Sequence, residues 1–386
     1  MKILQIITQG ERGGAQVHIR DMAILMRGDG HVVHVATGEQ ETAYDGWLFA
    51  ELTKAKFDPH NLHITKGLQR SVHLLKDVRA CWSMYKLIRR IKPDVVHLHS
   101  SKAGTVGAVA ARLAGAKVVY TAHGFVFNEP MSKLKKAFYI VSEFTARFFR
   151  NYTITVSKYD QYIGRKMHVI SRRKAEVIYN GIDEAMEKRI LTKKEARRIL
   201  FEKIGIGFGD EVKVVGLIAN LYESKGVTHL IHAAYLAKRY KDLKNTIFIV
   251  MGEGHLRKEL EKEIEELEVG TIFFLVGAVP DAYRYLKAFD LFAMPSVKEG
   301  FPYALLESML AHTPFVATKV GGIPEIEQYA ASSLVVPGSA KFLTEAIVKF
   351  LNTPKHKKIE KEPFPEKFTL RHMVDRVERV YDRVVG

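Results

Sequence analysis

Short apolar runs alternate with amphipathic stretches along nearly the whole chain. Residues 3–8 form the first run, a glycine-bearing loop (QGERGGAQ, 9–16) follows, and residues 17–26 then show helical spacing. Further Val/Ile-rich runs at 32–37, 95–99, 118–122 and 153–156 read as buried strands, with helices such as 106–113 between them. Near-continuous runs of this kind mark parallel strands covered on both faces. After the turn dipeptide Asn180-Gly181 the pattern restarts. Strands are predicted at 212–219, 246–251, 271–276, 291–294 and 315–318, with helical stretches such as 255–268 between them. Two successive doubly wound α/β halves are therefore expected. The charged stretch 355–366, which carries Pro363 and Pro365, reads as a connector, and helical spacing resumes over 370–385.

Length and charge refine this picture. A chain of 386 residues exceeds one ordinary core and suits two domains. No apolar run approaches the ~20 residues that cross a bilayer. The N-terminus reads as a first strand rather than a signal peptide, and Cys81 stands alone, which excludes an internal disulfide framework and a cysteine-cluster metal site. The expected location is cytoplasmic. Of the formal net charge of +16, residues 1–182 carry +14. A basic half beside a nearly neutral one points to a polyanion or an anionic membrane surface. Nucleic acid is the weaker choice, since no recognition-module signature is present.

In doubly wound sheets ligands bind beyond the carboxyl ends of the strands. The distinctive residues cluster at those ends: Gly13-Gly14, His97 to Lys102 and His123-Gly124 in the first half, then Asn220 to Gly226, Gly252 to Gly254 and Glu299 to Phe301. Gly13-Gly14 opens a helix, where backbone amides can receive a phosphate, although a glycine pair alone more often marks a tight turn. Lys225 stands where a strand passes into a helix and is able to neutralise a diphosphate; a solvated lysine is the commoner case. His123 is equally suited to packing and to bonding a sugar hydroxyl or carrying partial charge. His97 and His99 are expected on opposite faces of their strand, so that one metal ion would not take both, and His97 reads as structural.

The segment KEGFPYALLE (298–307) is more specific. Pro302 suits the first turn of a helix, which leaves Glu299 in the preceding loop and Glu307 on the helix. The amides of Gly300 and Phe301 and the helix N-terminus would then point at one anion. Glu307 lies among Leu305, Leu306, Met309 and Leu310, company in which a carboxylate needs a partner.

Eight segments in order (GGAQ at 13–16, VHLHSSKAG at 96–104, YTAHGF at 120–125, VIYNGID at 177–183, NLYESKG at 220–226, MGEGHLR at 251–257, EGFPYALLE at 299–307 and GGIPE at 321–325) resemble the family 4 retaining glycosyltransferases of GT-B fold. The resemblance implies two Rossmann-like doubly wound domains facing across a cleft. These are an acceptor-binding domain over residues 1–183, onto which a C-terminal helix (367–386) packs back, and a nucleotide-sugar-binding domain over 184–366. It implies that Glu307 holds the ribose hydroxyls, that Glu299 lies beside the transferred sugar, that Gly300 and Phe301 offer backbone contacts to that sugar, and that Pro302 belongs to the donor-binding set. Lys225 would bind the donor diphosphate, Gly13 and Gly14 would approach it, and His123 would lie near the sugar. Asn220 replaces the arginine usual in the family, which removes one of two cations from the diphosphate grip.

The implied activity is retaining, metal-independent hexosyl transfer from a nucleoside-diphosphate sugar, with uridine the expected base. The acceptor would be a glycan or a polyprenyl-diphosphate-linked sugar in capsule or exopolysaccharide synthesis. No D-x-D triplet is present, so no metal-held diphosphate and no cofactor are expected. The segment 131–150 (MSKLKKAFYIVSEFTARFFR) has five basic residues and a broad apolar surface. It suits an anionic membrane, placing the protein peripherally on the inner face of the plasma membrane, as well as it suits a core-packed helix. The charge excess of the first domain tips the balance toward the membrane. A sugar-nucleotide epimerase of the same fold and a catalytically silent nucleotide-sugar-binding protein are the competing readings. A dinucleotide-dependent dehydrogenase is disfavoured because no G-x-G-x-x-G follows the first strand.

Overall fold

The computed structural model describes residues 1–39, 46–207, 211–238, 243, 245–353 and 363–386. Most of the expected connector at 355–366 lies outside the described residues. The chain divides into two compact units, one formed by Met1–Gly181 with Lys367–Gly386 and the other by Ile182–Glu366.

The first unit carries a seven-stranded parallel sheet: β1 (Lys2–Ile6), β2 (Val32–Gly38), β3 (Leu62–Thr65), β4 (Val95–His99), β5 (Lys117–Ala122), β6 (Tyr152–Thr155) and β7 (Ala175–Val177). Its order is β3-β2-β1-β4-β5-β6-β7, so the winding direction reverses between β1 and β4. The central strands are buried on both faces, which is why they read as unbroken apolar runs. Each face has its own core. One is built from α3 (Leu74–Ile91), α4 (Ala108–Leu113) and the strand residues Leu4, Val96, Leu98 and Tyr120. The other is built from α1 (Gly14–Gly28), α2 (Trp47–Lys54) and the terminal helix α12 (Leu370–Val385). Helix α12 buries Met373, Val374, Val377, Val380, Tyr381 and Val384 at helical spacing, so the end of the chain is part of the first unit's core. The remaining helices of this unit are α5 (Lys133–Ala146) and α6 (Lys158–Lys166).

The second unit repeats the plan with six parallel strands: β8 (Lys213–Ile218), β9 (Thr246–Met251), β10 (Phe273–Leu275), β11 (Leu291–Met294), β12 (Phe315–Thr318) and β13 (Ser332–Val335). Their order is β10-β9-β8-β11-β12-β13, and the switch falls between β8 and β11. Its helices are α7 (Lys193–Ile204), α8 (Val227–Ala237), α9 (Arg257–Glu266), α10 (Tyr303–Leu310) and α11 (Ala340–Asn352). Helix α7 begins at a capping box in which Thr192 and Glu195 bond each other's amides.

Three strands were not expected from the sequence: β3, β7 and β13. All are sheet edges, short and partly exposed, and so lack the apolar continuity of a buried strand.

Candidate functional site

In the second unit the switch point gathers the sequence-predicted residues. The loop after β8 carries Asn220 and Lys225, and the loop after β11 carries Ser296, Glu299 and Gly300. The two loops are stitched together where the Val297 amide donates to Ser224 O at 2.9 Å. Gly226 stands at φ +64, where a Cβ would come within 2.2 Å of the Pro295 carbonyl oxygen, so glycine permits both the turn and the close approach. Lys225 Nζ donates to Glu299 Oε1 at 2.7 Å, with the two side chains 27% and 8% exposed. Ser296 Oγ donates to the same carboxylate oxygen at 2.8 Å. Thr318, the last residue of β12, bonds the Ser296 carbonyl through its hydroxyl and so holds Ser296 in turn.

Pro302 has extended backbone and is the cap before α10, one position earlier than the first-turn place expected of it. Gly300 and Phe301 are buried in the loop leading to that cap, and the Phe301 ring is in the core, which leaves its backbone as the part able to meet a ligand. Glu307 follows on α10 and is half-buried; Tyr283, whose phenol is raised chiefly by burial, also feels the Glu307 charge. Asn220 lies in the loop just past β8 and accepts the Tyr222 amide on its carbonyl at 2.9 Å.

The glycine pair at 321–322 has a structural part that the sequence motif did not assign. Gly321 has φ +53, and a Cβ there would lie 1.8 Å from the Glu299 carbonyl oxygen. The Gly322 amide donates to Gly300 O at 2.8 Å. This turn after β12 therefore fixes the backbone of the 299–300 loop. Its signal in the sequence was the glycine pair itself, but its partner lies some twenty residues away.

In the first unit Gly13 caps α1 with extended backbone and no side-chain cap, and Gly14 is the first helical residue. His123 follows β5, and its ring nitrogen lies 3.1 Å from that of His99 at the end of β4. Burial first, then the neighbouring His18 and His97, push His123 well below the ordinary histidine value, so it is a neutral imidazole and not a carrier of charge. The expectation that His97 and His99 face opposite ways is corrected here. Residues two apart share a strand face, and their rings are 4.1 Å apart. His97 uses both ring nitrogens, with Tyr381 at 2.6 Å and Thr121 at 2.7 Å, and is structural.

A cavity of about 980 Å³ opens beside this edge of the first unit, between the segment at 70–77, the loop after β4 and α5. Arg70, Lys102 and Lys135 line it, and Lys102 is held by Asp77 at 2.6 Å and by the Ser71 carbonyl. One π-helical turn, Ala103–Gly107, forms part of its wall. Of the apolar side chains that line it, Val72 and Phe138 are exposed, and so are Leu74, Leu75, Val78 and Trp82 on α3, Leu134, Val141 and Phe144 on α5, and Phe148 just after it. Helix α5 is thus only partly core-packed; Glu143 and Ala146 are its buried residues. Arg150 is withdrawn from the basic face of this segment. It pairs with Glu143 at 2.8 Å with both side chains buried, and its guanidinium lies 3.8 Å from the centre of the Tyr120 ring.

The two units each match a family model: residues 12–185 match Glycosyltransferase Family 4, and residues 200–362 match Glycosyl transferases group 1. The chain belongs to glycosyltransferase family 4. It is 31% identical over 257 residues to the Escherichia coli UDP-Gal:alpha-D-GlcNAc-diphosphoundecaprenol alpha-1,3-galactosyltransferase, a match that covers 66% of this chain and 65% of that relative. It is 26% identical over 390 residues to one of the polypeptides of the human phosphatidylinositol N-acetylglucosaminyltransferase, covering 96% of this chain and 73% of that one. Among solved structures, Anabaena HepE in complex with UDP and glucose superposes with a TM-score of 0.80 at 21% identity, covering 99% of this chain and all of that one. That likeness assigns the GT-B fold to this family 4 member.

Proposed function

We propose that this chain is a retaining glycosyltransferase that moves a hexose from a UDP-sugar to a polyprenyl-diphosphate-linked acceptor in cell-surface polysaccharide synthesis. The observation that carries the reading is the Lys225–Glu299 contact at the switch point of the second unit, next to the amides that open α10. In transfer, the bond from the anomeric carbon to the diphosphate oxygen breaks, the acceptor oxygen bonds to that carbon on the same face, and the acceptor's hydroxyl proton passes to the departing diphosphate. Negative charge grows on the departing diphosphate, where Lys225 and the α10 amides stabilise it, with no metal ion in the reading. Glu299 lies beside the sugar, Gly300, Phe301 and Pro302 line its site, and Glu307 takes the ribose hydroxyls. The reading gives Gly13 and Gly14 a backbone contact to the donor, Asn220 an uncharged hydrogen bond to it, and His123 a bond to a sugar hydroxyl.

The acceptor class is supported by the first unit. The reading seats the acceptor at the cavity, whose lining mixes Arg70, Lys102 and Lys135 with Asp77, Glu129 and Glu143 and includes exposed Val72 and Phe138, and it assigns the acceptor phosphates to the exposed Lys133, Lys135 and Lys136 of α5. Both relatives named above carry a lipid-linked acceptor in their names. Among the described residues no helix is long and apolar enough to cross a membrane. The reading therefore places the protein peripherally on the inner leaflet.

The test is incubation with a panel of nucleotide sugars, with and without a polyprenyl-diphosphate-linked sugar in anionic vesicles. Release of UDP that requires the acceptor, with an α-linked product from an α-linked donor, is expected. Binding of UDP-sugars with no consumption under any acceptor would leave a silent binding protein, and consumption without acceptor would favour an epimerase.

A further inference from the structure

Three histidines from separate elements meet at the carboxyl edge of the first unit's sheet: His18 from the first turns of α1, His99 from the end of β4 and His123 after β5. Each offers a ring nitrogen, and these atoms all lie within 4.8 Å of one another. His18 and His99 are 1% and 0% exposed, yet Nε2 of each has no hydrogen-bond partner. Buried nitrogens left unpartnered are uncommon in folded proteins and ask for an explanation. The His18 ring is also oriented: its Nδ1 lies 3.2 Å from Asn180 Oδ1, which accepts the ring N–H and leaves Nε2 as the lone-pair nitrogen. His97, two residues before His99 on the same strand face, is already satisfied on both nitrogens and stands outside the set.

We propose that His18, His99 and His123 form a binding site for one borderline-soft divalent transition-metal ion, of the zinc class. Three neutral imidazoles with one open position are the ligand set such ions prefer, whereas magnesium and calcium take oxygen ligands. Metal–nitrogen bonds of ~2.0–2.1 Å hold tetrahedral ligands ~3.4 Å apart, so closing the set requires movements on the order of 1 Å. Burial keeps all three rings in the neutral form that ligates. His123 is the partly exposed member, so the fourth position faces solvent and takes water. The site is independent of the transferase reading. If that reading holds, an ion here withdraws His123 from the sugar hydroxyl, and zinc acts as an inhibitor rather than a cofactor.

The test titrates cobalt(II) into the full chain and follows its visible absorption. One equivalent giving the intense bands of a tetrahedral ion, displaced by zinc(II) and untouched by excess magnesium, is expected. His18→Gln and His123→Asn should each weaken binding by at least ~10-fold. Because a buried histidine variant can fail to fold, wild-type crystals soaked in zinc provide the second measurement, with an anomalous peak at the zinc edge expected among the three rings. Absence of a saturable tetrahedral spectrum, full binding in folded His18→Gln, or an anomalous peak elsewhere overturns the proposal.

Discussion

Replacing Glu299 by glutamine should tighten UDP binding while slowing transfer. In the free protein the Lys225 ammonium is engaged by Glu299 at 2.7 Å, so an incoming diphosphate has to share or displace that contact. A fully exposed ion pair is worth ~0.2–1 kcal/mol, and a hydrogen bond to a charged group ~1.5–3 kcal/mol. With Lys225 27% exposed and Glu299 8%, about 1 kcal/mol is a fair value after solvent screening. At ~1.4 kcal/mol per tenfold, its release corresponds to UDP binding about fivefold tighter. Glutamine keeps an oxygen for the Ser296 hydroxyl, so the loop should hold its shape. On the proposed reading turnover should nevertheless fall by on the order of 100-fold, because that reading sets the Glu299 charge beside the reacting carbon. Lys225→Ala should weaken UDP by about tenfold, and Glu299→Gln should give no gain on top of Lys225→Ala, since the competition it relieves is then absent. Calorimetric UDP titrations of the four proteins, with acceptor-dependent UDP release for rate, decide the matter. UDP affinity that is unchanged or weaker in Glu299→Gln, with Lys225 present, refutes the reasoning.

Other consequences concern stability and loop position. Arg150→Met removes one partner of the buried pair with Glu143 and should cost ~3–5 kcal/mol, whereas adding Glu143→Gln should recover most of it; urea midpoints of both variants measure this. Gly321→Ala should cost ~1–2 kcal/mol for its left-handed backbone and should push the 299–300 loop aside, lowering turnover on the order of 100-fold in the UDP-release assay. Acid should destabilise the first unit. His18 is lowered to about 4 by burial, and His97, His99 and His123 are also held well below the ordinary value, chiefly by burial, so the unfolded chain binds more protons below its ordinary histidine value of ~6.5. Stability is therefore full above that value and lost as pH falls, by up to ~1.4 kcal/mol per pH unit for each histidine; denaturation between pH 7 and 5 reads the slope, and His99→Asn should flatten it.

The buried halves of both sheets were legible because a strand covered on both faces carries mostly apolar side chains, with few polar ones such as His97 that find buried partners. The runs at 246–251, 291–294 and 315–318 coincide with β9, β11 and β12 for that reason. Edge strands such as Ser332–Val335 carry no such constraint, since one side of their ladder and much of their side-chain surface meet water. The same distinction governs the candidate site. Glu299, Lys225 and Asn220 were legible as strand-end residues because chain order fixes which loops follow which strands.

What holds those residues was not legible. Gly321 against the Glu299 carbonyl, Thr318 on Ser296 and Ser224 on Val297 are contacts between loops of different strands, and neither periodicity nor spacing reports them. The histidines make the point more sharply. Each of His18, His99 and His123 looks unremarkable in its own segment, and only the strand order β1-β4-β5 and the placement of α1 bring the three rings together. A doubly wound sheet concentrates whatever its strand ends carry, and at this edge it has concentrated neutral imidazole. The basic charge of the first half is spent differently. Arg150 is withdrawn into a buried pair with Glu143, while Lys133, Lys135 and Lys136 stay exposed beside uncovered Leu134 and Phe138. Net charge alone cannot separate those uses, because a buried pair and a solvated face count equally in it. The exposed lysines beside exposed apolar side chains on this one helix are the combination on which the proposed lipid-linked acceptor rests.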